Sequence, residues 1–132
     1  MLAARVLGEF GDDPKRFAST RARKNYSGQS PTTRASGKKS IVHARHATNR
    51  RLGVALHLQA YGALNGSAGT RAYYDTIRTR GTGPPRRPPP SRQVANRLVG
   101  ILHGCLDSGT LYNEATAWNN AAITTQQMAP AA

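Results

Sequence analysis

Ser36 stands between Arg34 and the Lys38–Lys39 pair, with Gly37 directly after it, in the stretch TTRASGKKS. A serine oxygen that attacks a phosphodiester needs the phosphate held close, its charge neutralised, and a backbone slim enough to approach. The flanking cations and the glycine answer the last two needs. An ordinary loop serine whose neighbours merely grip a phosphate fits the same residues, and the spacing leaves both readings open. His43 and His46 are three apart in HARH, which on a helix would put them on one face. Two histidines do not make a zinc site, and Cys105 is too isolated to complete one. Beside Arg45 they read as phosphate-facing or solvated. Asp12 and Asp13 precede Pro14 and read as helix caps, since no further carboxylate lies near them. His57, His103 and Cys105 fall within helical patterns, and Cys105 reads as a small buried hydrophobe. Tyr26, Tyr61, Tyr73 and Tyr74 could stack on bases, although tyrosines at helical spacing are more readily core. Trp118 has no assigned role.

These residues sit in a strongly basic chain. Nineteen Lys and Arg against six Asp and Glu give a formal charge of +13, and no acid occurs between Asp13 and Asp75 while twelve Lys or Arg do. Such a surface repels itself unless a polyanion neutralises it. Nucleic acid is the expected partner, with Arg34, Lys38, Lys39, Arg45, Arg50 and Arg51 as the candidate phosphate contacts. A membrane is not expected, because no apolar run is long enough to span one. The start of the chain lacks the pattern of a secretion signal, and one cysteine excludes an internal disulfide, so the reading is a cytoplasmic protein.

The elements that must position the loop are helical. Leu2, Val6, Leu7 and Phe10 read as the end of a helix. Pro14 would open another, and Ser19 or Thr20 a third that Gly28 closes. A long basic loop follows from Gln29 to about Ala47, turned at Pro31 and Gly37, with Ile41 and Val42 briefly extended. Thr48 to Asn65 carries an amphipathic stripe of Leu52, Ala55, Leu56, Gln59, Ala60, Ala63 and Leu64. Gly66 stops that helix. Ser67 opens the next, through Arg80, in an antiparallel pair with it. Residues 82–90 hold five prolines in nine positions and break the pattern. A helix resumes near Gln93 with Val94, Leu98, Ile101, Leu102, Cys105 and Leu106 on one face, ending by Gly109. The expected fold is mainly α, a small helical domain over 1–118 with a Pro-rich interruption at 82–92. Residues 119–132 read as a disordered tail.

In order along the chain, LGEFGDDPKRFASTRARKNYSGQSPTTRASGKKSIVHARHATNRRL, ALHLQAYGAL, TRAYYDTIRTRG and ANRLVGILHGCLDSGTLYNEATAW resemble the C-terminal transposase domain of the insertion-sequence 110/116/902 family. The resemblance covers roughly Leu7 to Trp118. It implies a DNA recombinase of two parts: an N-terminal RuvC-like domain whose acids hold Mg²⁺, and a helical domain that supplies a serine nucleophile. An RNA encoded by the element guides the choice of DNA sites. The family's serine lies in a Ser-Gly pair, here Ser36–Gly37, with Ser30 and Ser40 as fallbacks. Two departures stand out. The acidic domain and the segment that usually precedes LGEFGDD are absent, so no cofactor is expected in this chain itself. The family's alanine-rich helix is also replaced by PPRRPPPSRQ, as a short frameshift in GC-rich DNA would produce. The expectation is a truncated transposase that binds DNA, and a guide RNA or an intact transposase besides, without recombining strands alone. A stand-alone basic module that regulates an intact transposase is the alternative.

Overall fold

The computed structural model describes residues 2–43, 45–80 and 89–118. The elements run α1 (Leu2–Phe10), α2 (Thr20–Tyr26), β1 (Thr32–Ser36), β2 (Lys39–His43), α3 (Arg50–Gly66), α4 (Ala68–Thr79) and α5 (Pro90–Ser108). A last helical turn covers 114–118. The fold is mainly helical, as the periodicity indicates. Among the described residues, no helix is long and apolar enough to cross a membrane.

Helices α3 and α5 pack on each other at the centre, with α1 against α3, α2 against α5, and α4 against both. The apolar stripe of α3 divides between two clusters. Its first half, Leu52, Ala55 and Leu56, meets Val6 and Phe10 of α1 and Val99 of α5. Further along, Ala60 meets Val94, Ala95 and Leu98 of α5 and Trp118, with Tyr73 of α4 packed alongside. Helix α5 is therefore buried on two sides, at Ala95, Val99 and His103 as well as on the expected Val94–Leu98 line. Each fully buried Leu or Val contributes about 1.5–3 kcal/mol relative to exposure.

The capping chemistry places the helix starts. Ser19 accepts from the Ala22 N–H at 3.2 Å and opens α2. Asn49, not Thr48, opens α3: its Oδ1 accepts from Leu52 N–H at 3.2 Å. The Asn49 Nδ2 also donates to Glu9 at 2.7 Å and to the Tyr26 hydroxyl at 2.9 Å, tying α1, α2 and α3 together. Ser67, extended at φ −126° and ψ 116°, is at once the last cap of α3 and the first of α4. Helix α5 begins at Pro90, three residues before the expected Gln93, with proline at its first position where no N–H is needed. Gly109, at φ 65°, ends it as the pattern requires.

Two expectations fail. No helix starts at Pro14; residues 11–19 form bends and a turn, with Asp13 Oδ1 accepting from Lys15 N–H at 2.8 Å. The Ser19 cap follows only five residues later and must be extended (φ −156°), which leaves too few residues to nucleate a helix between them. The loop from Gln29 to Ala47 is in large part a β-hairpin, in which Thr32 pairs with His43, Arg34 with Ile41 and Ser36 with Lys39. Thr, Ile and Val favour the strands, and a two-residue turn at Gly37–Lys38 closes them. Gly81 to Pro88 and the tail 119–132 lie outside the described residues.

Candidate nucleic-acid interface

The hairpin stands out from the helical body. Residues 33–41 are all exposed. Gly37 has φ 56° and no non-glycine residue among those described has positive φ, so Lys38 does not. Glycine at the first of two loop positions with positive φ is the type II′ arrangement. A Cβ on Gly37 would meet nothing within 4 Å, so backbone conformation, not space, is what calls for glycine.

The register decides which side chains keep company. Side chains alternate across a strand, so Arg34 and Ser36 share a face with their partners Ile41 and Lys39 and with His43. Lys38 sits in the turn. Ser36 is exposed at the tip with three cations around it, and its hydroxyl has no hydrogen-bond partner among the described residues. His43 is at the opposite end of the strand pair, about 13 Å away at roughly 3.3 Å per residue. It is out of reach as a base for Ser36 in this arrangement. Ser30 is half-buried before the hairpin, and Ser40 points to the other face.

The remaining predicted cations separate. Arg45, half-buried, and Arg50 line a cleft of about 590 Å³ at the foot of the hairpin, together with Arg92 of α5. Arg51, one residue on around α3, comes 4.0 Å from Glu9 of α1 while its side chain stays 85% exposed. Arg23, outside the set of candidate phosphate contacts, is fully buried, with its guanidinium 4.3 Å above the ring of Phe10. Lys24 lies half-buried against Gly100, and burial, then the charge of Arg97, pushes its ammonium below the usual lysine value.

The histidine pair does not sit on a helix. His43 ends β2 and His46 lies in the connection to α3, both exposed. Among the described residues no three His, Cys, Asp or Glu side chains gather where a metal could bind. These residues therefore offer no fitting donor set for the Mg²⁺ that the family resemblance implies. Of the tyrosines weighed as stacking platforms, Tyr26 packs on Phe17 and Tyr73 on Trp118, both at structural contacts. Tyr61 is exposed beside His57 on α3. The sequence reading missed Arg92, whose place in a Pro/Arg run hid its helical position, and Trp118, which docks on α4.

The family model for transposases of the IS116/IS110/IS902 family matches residues 1–75, from α1 into α4. A Streptomyces coelicolor protein described as a candidate transposase for the IS117 mini-circle is 42% identical over 118 residues, covering 89% of this chain and 28% of its own length. The 43.6 kDa protein of the insertion element IS110, from the same organism, is 32% identical over 113 residues, covering 83% of this chain and 26% of its own. The chain thus spans about a quarter of the length of these relatives. No solved structure matches it. With more than half its length under the family model, and the hairpin and the acid-free basic stretch inside that match, the chain belongs to the IS116/IS110/IS902 family of transposases.

Proposed function

We infer that this chain is the part of a DNA transposase that carries the strand-attacking serine and grips nucleic acid beside it. One observation supports the reading most: the hairpin register puts Ser36, Arg34 and Lys39 on one exposed face, with Lys38 in the turn, and no acid on either strand. The cations would hold a phosphate against the Ser36 oxygen. Attack there forms a serine–phosphorus bond and breaks the bond to one sugar oxygen, which leaves as a hydroxyl; the proton the serine loses balances the one that oxygen gains. The described residues offer no base within reach of Ser36 and no metal set, so activation of the serine falls to groups outside them.

The chain alone therefore binds DNA, or a structured RNA such as a guide, and neither cleaves nor joins strands. Electrophoretic shift across a salt series tests the first half, with log affinity falling steeply as log salt rises. Salt-independent binding would sink it. Incubation with Mg²⁺ and labelled DNA tests the second: strand cleavage by the pure chain, abolished in Ser36→Ala, would overturn the proposed division of labour. A stand-alone module regulating an intact transposase is the second reading, supported by the two buried apolar clusters that the described residues form. Pull-down of the intact transposase by the chain distinguishes it.

A further inference from the structure

Two helix starts converge on the cleft at the foot of the hairpin. Arg50 and Gly53 come from the first turns of α3, and Pro89 and Arg92 from the start of α5. Each helix directs the positive end of its dipole at its own first turn. The start of α5 has no side-chain cap, but Pro90 carries no N–H and the Arg92 and Gln93 N–H groups donate to the Pro89 carbonyl at 3.0 and 3.2 Å. What α5 offers the cleft is therefore the positive end of its dipole and the Arg92 side chain. No acid lines the cleft, and Arg45, Arg50 and Arg92 form no ion pair among the described residues. The Nε of Arg45 is buried from solvent without any acceptor. A buried donor of this kind calls for a partner that the protein does not supply.

The other wall of the cleft is apolar. Val54 and Leu58, each 47% exposed, lie one turn apart on α3 with His57 between them. A cleft with cations at its rim and an aliphatic and aromatic wall offers one part of a ligand a charge and another part a flat apolar face. The volume is in the range of pockets that hold ligands of nucleotide size.

We propose that this cleft seats one unpaired nucleotide of a nucleic-acid strand. Its phosphate lies on Arg45, Arg50 and Arg92, and its base on the wall of Val54, His57 and Leu58. The inference rests on the nucleic-acid reading above and makes it specific. A duplex keeps its bases stacked and paired, so it can offer the cleft phosphate but not a free base face. Arg45 lies two residues past the end of β2 in the connection to α3, so a strand seated here can continue along the hairpin toward Ser36. The cleft and the hairpin tip then hold different phosphates of one strand.

The test compares the full chain with Arg45→Ala/Arg92→Ala, with Leu58→Glu, and with Arg34→Ala/Lys39→Ala on the hairpin. Fluorescence anisotropy is read with oligo-deoxythymidylate and oligo-uridylate of about 12 nucleotides, a common site size for such strands, and with a mixed-sequence duplex of equal length. The cleft variants should lose about tenfold or more of single-strand affinity, the scale of a lost charged hydrogen bond, and flatten the salt slope by roughly 0.7 for each arginine removed. Duplex binding should change far less. Leu58 is half-exposed, so Leu58→Glu carries the test if the double variant unfolds by circular dichroism. Equal preference of the two oligonucleotides assigns the recognised chemistry to the shared pyrimidine ring and phosphate, and a preference for one adds a contact to the 2′-hydroxyl or to the thymine methyl. Equal losses on single strand and duplex, or no loss in the cleft variants while the hairpin variant loses binding, would overturn the cleft and leave the broader reading intact. Absence of salt-dependent binding by the unaltered chain to every probe would overturn both.

Discussion

The guanidinium carbon of Arg23 lies 4.3 Å from the ring centre of Phe10 and 4.8 Å from that of Phe17, fully shielded from solvent. One of its nitrogens donates to the Asp13 carbonyl at 3.1 Å, while its Nε and other terminal nitrogen have no acceptor. The rings supply attraction worth up to about 2 kcal/mol for a desolvated cation, and the unpaired donors cost a comparable amount. The packing volume therefore matters more than the charge. Arg23→Ala should lower stability by about 2–4 kcal/mol, as large-to-small changes in a core do, while Arg23→Met should keep the midpoint close to that of the unaltered chain. Urea denaturation followed by circular dichroism measures both. A methionine variant as unstable as the alanine variant would show that the charge itself is needed.

Glu114 fastens the end of the described chain to the start of α4. Its carboxylate accepts from Ser67 Oγ at 2.6 Å and from Gly69 N–H at 2.9 Å, and also from the Tyr112 hydroxyl, which in turn accepts from Trp118 Nε1 at 2.9 Å. The Ser67 bond first, then those from Tyr112 and Gly69, hold the Glu114 carboxyl below its usual range. A depressed carboxyl stabilises the fold fully above the ordinary glutamate value of about 4.3, and that contribution is lost as pH falls through the lower folded value. Trp118 is the sole tryptophan, so its fluorescence reports the fastening directly. The emission should shift toward that of exposed indole as pH falls beneath the ordinary glutamate range, and Glu114→Gln should remove this pH step. An unchanged step in the glutamine variant would assign it to another group.

Gly69 carries the ring of Trp118. A Cβ there would collide with the indole and with the Trp118 Cβ, so Gly69→Ala should displace the ring although alanine suits a helix better. The expected readout is red-shifted Trp118 emission with helix content retained. Blue emission in the alanine variant would mean that the segment shifts without losing its seat.

The hairpin should melt by itself. Its strands pair with each other and pack on no helix to a comparable extent, and its residues are exposed. Gly37→Ala forces a left-handed conformation on a residue with a Cβ, at about 1–2 kcal/mol. Amide exchange should accelerate across 32–43 in that variant and stay unchanged in α3 and α5. Ser36→Ala should alter neither, so any loss of function it causes is chemical rather than structural.

The helical body should unfold as one unit, because α3 and α5 each contribute to both apolar clusters. Leu52 is fully buried, and Leu52→Ala should cost about 2–5 kcal/mol. Coincident transitions by far-ultraviolet circular dichroism and Trp118 fluorescence would support this, since the probe lies in one cluster and the substitution in the other. Separate transitions would mean that the clusters are independent.

Much of this was legible along the chain. Ser19, Asn49, Ser67 and Gly109 punctuate helices through bonds to residues only a few positions away, and the α3 stripe repeats with the helical period. Capping and periodicity are local, so sequence alone set the helices from α2 to α5 to within a few residues. The resemblance carried by the ordered segments likewise gave the family. What sequence could not give were relations between distant residues. Whether Thr32–Ser36 is loop or strand depends on the pairing of Arg34 with Ile41 and Ser36 with Lys39, which the residue types permit but do not compel. Whether an arginine is a surface charge or part of the core depends on what lies over it: Phe10 and Phe17 bury Arg23, Arg51 stays exposed beside Glu9, and the start of α5 brings Arg92 beside Arg45 and Arg50. Composition counted these cations alike. Only the packing of α1, α3 and α5 determined which of them face water, because burial and charge pairing are set by neighbours that the fold, not the chain order, brings together.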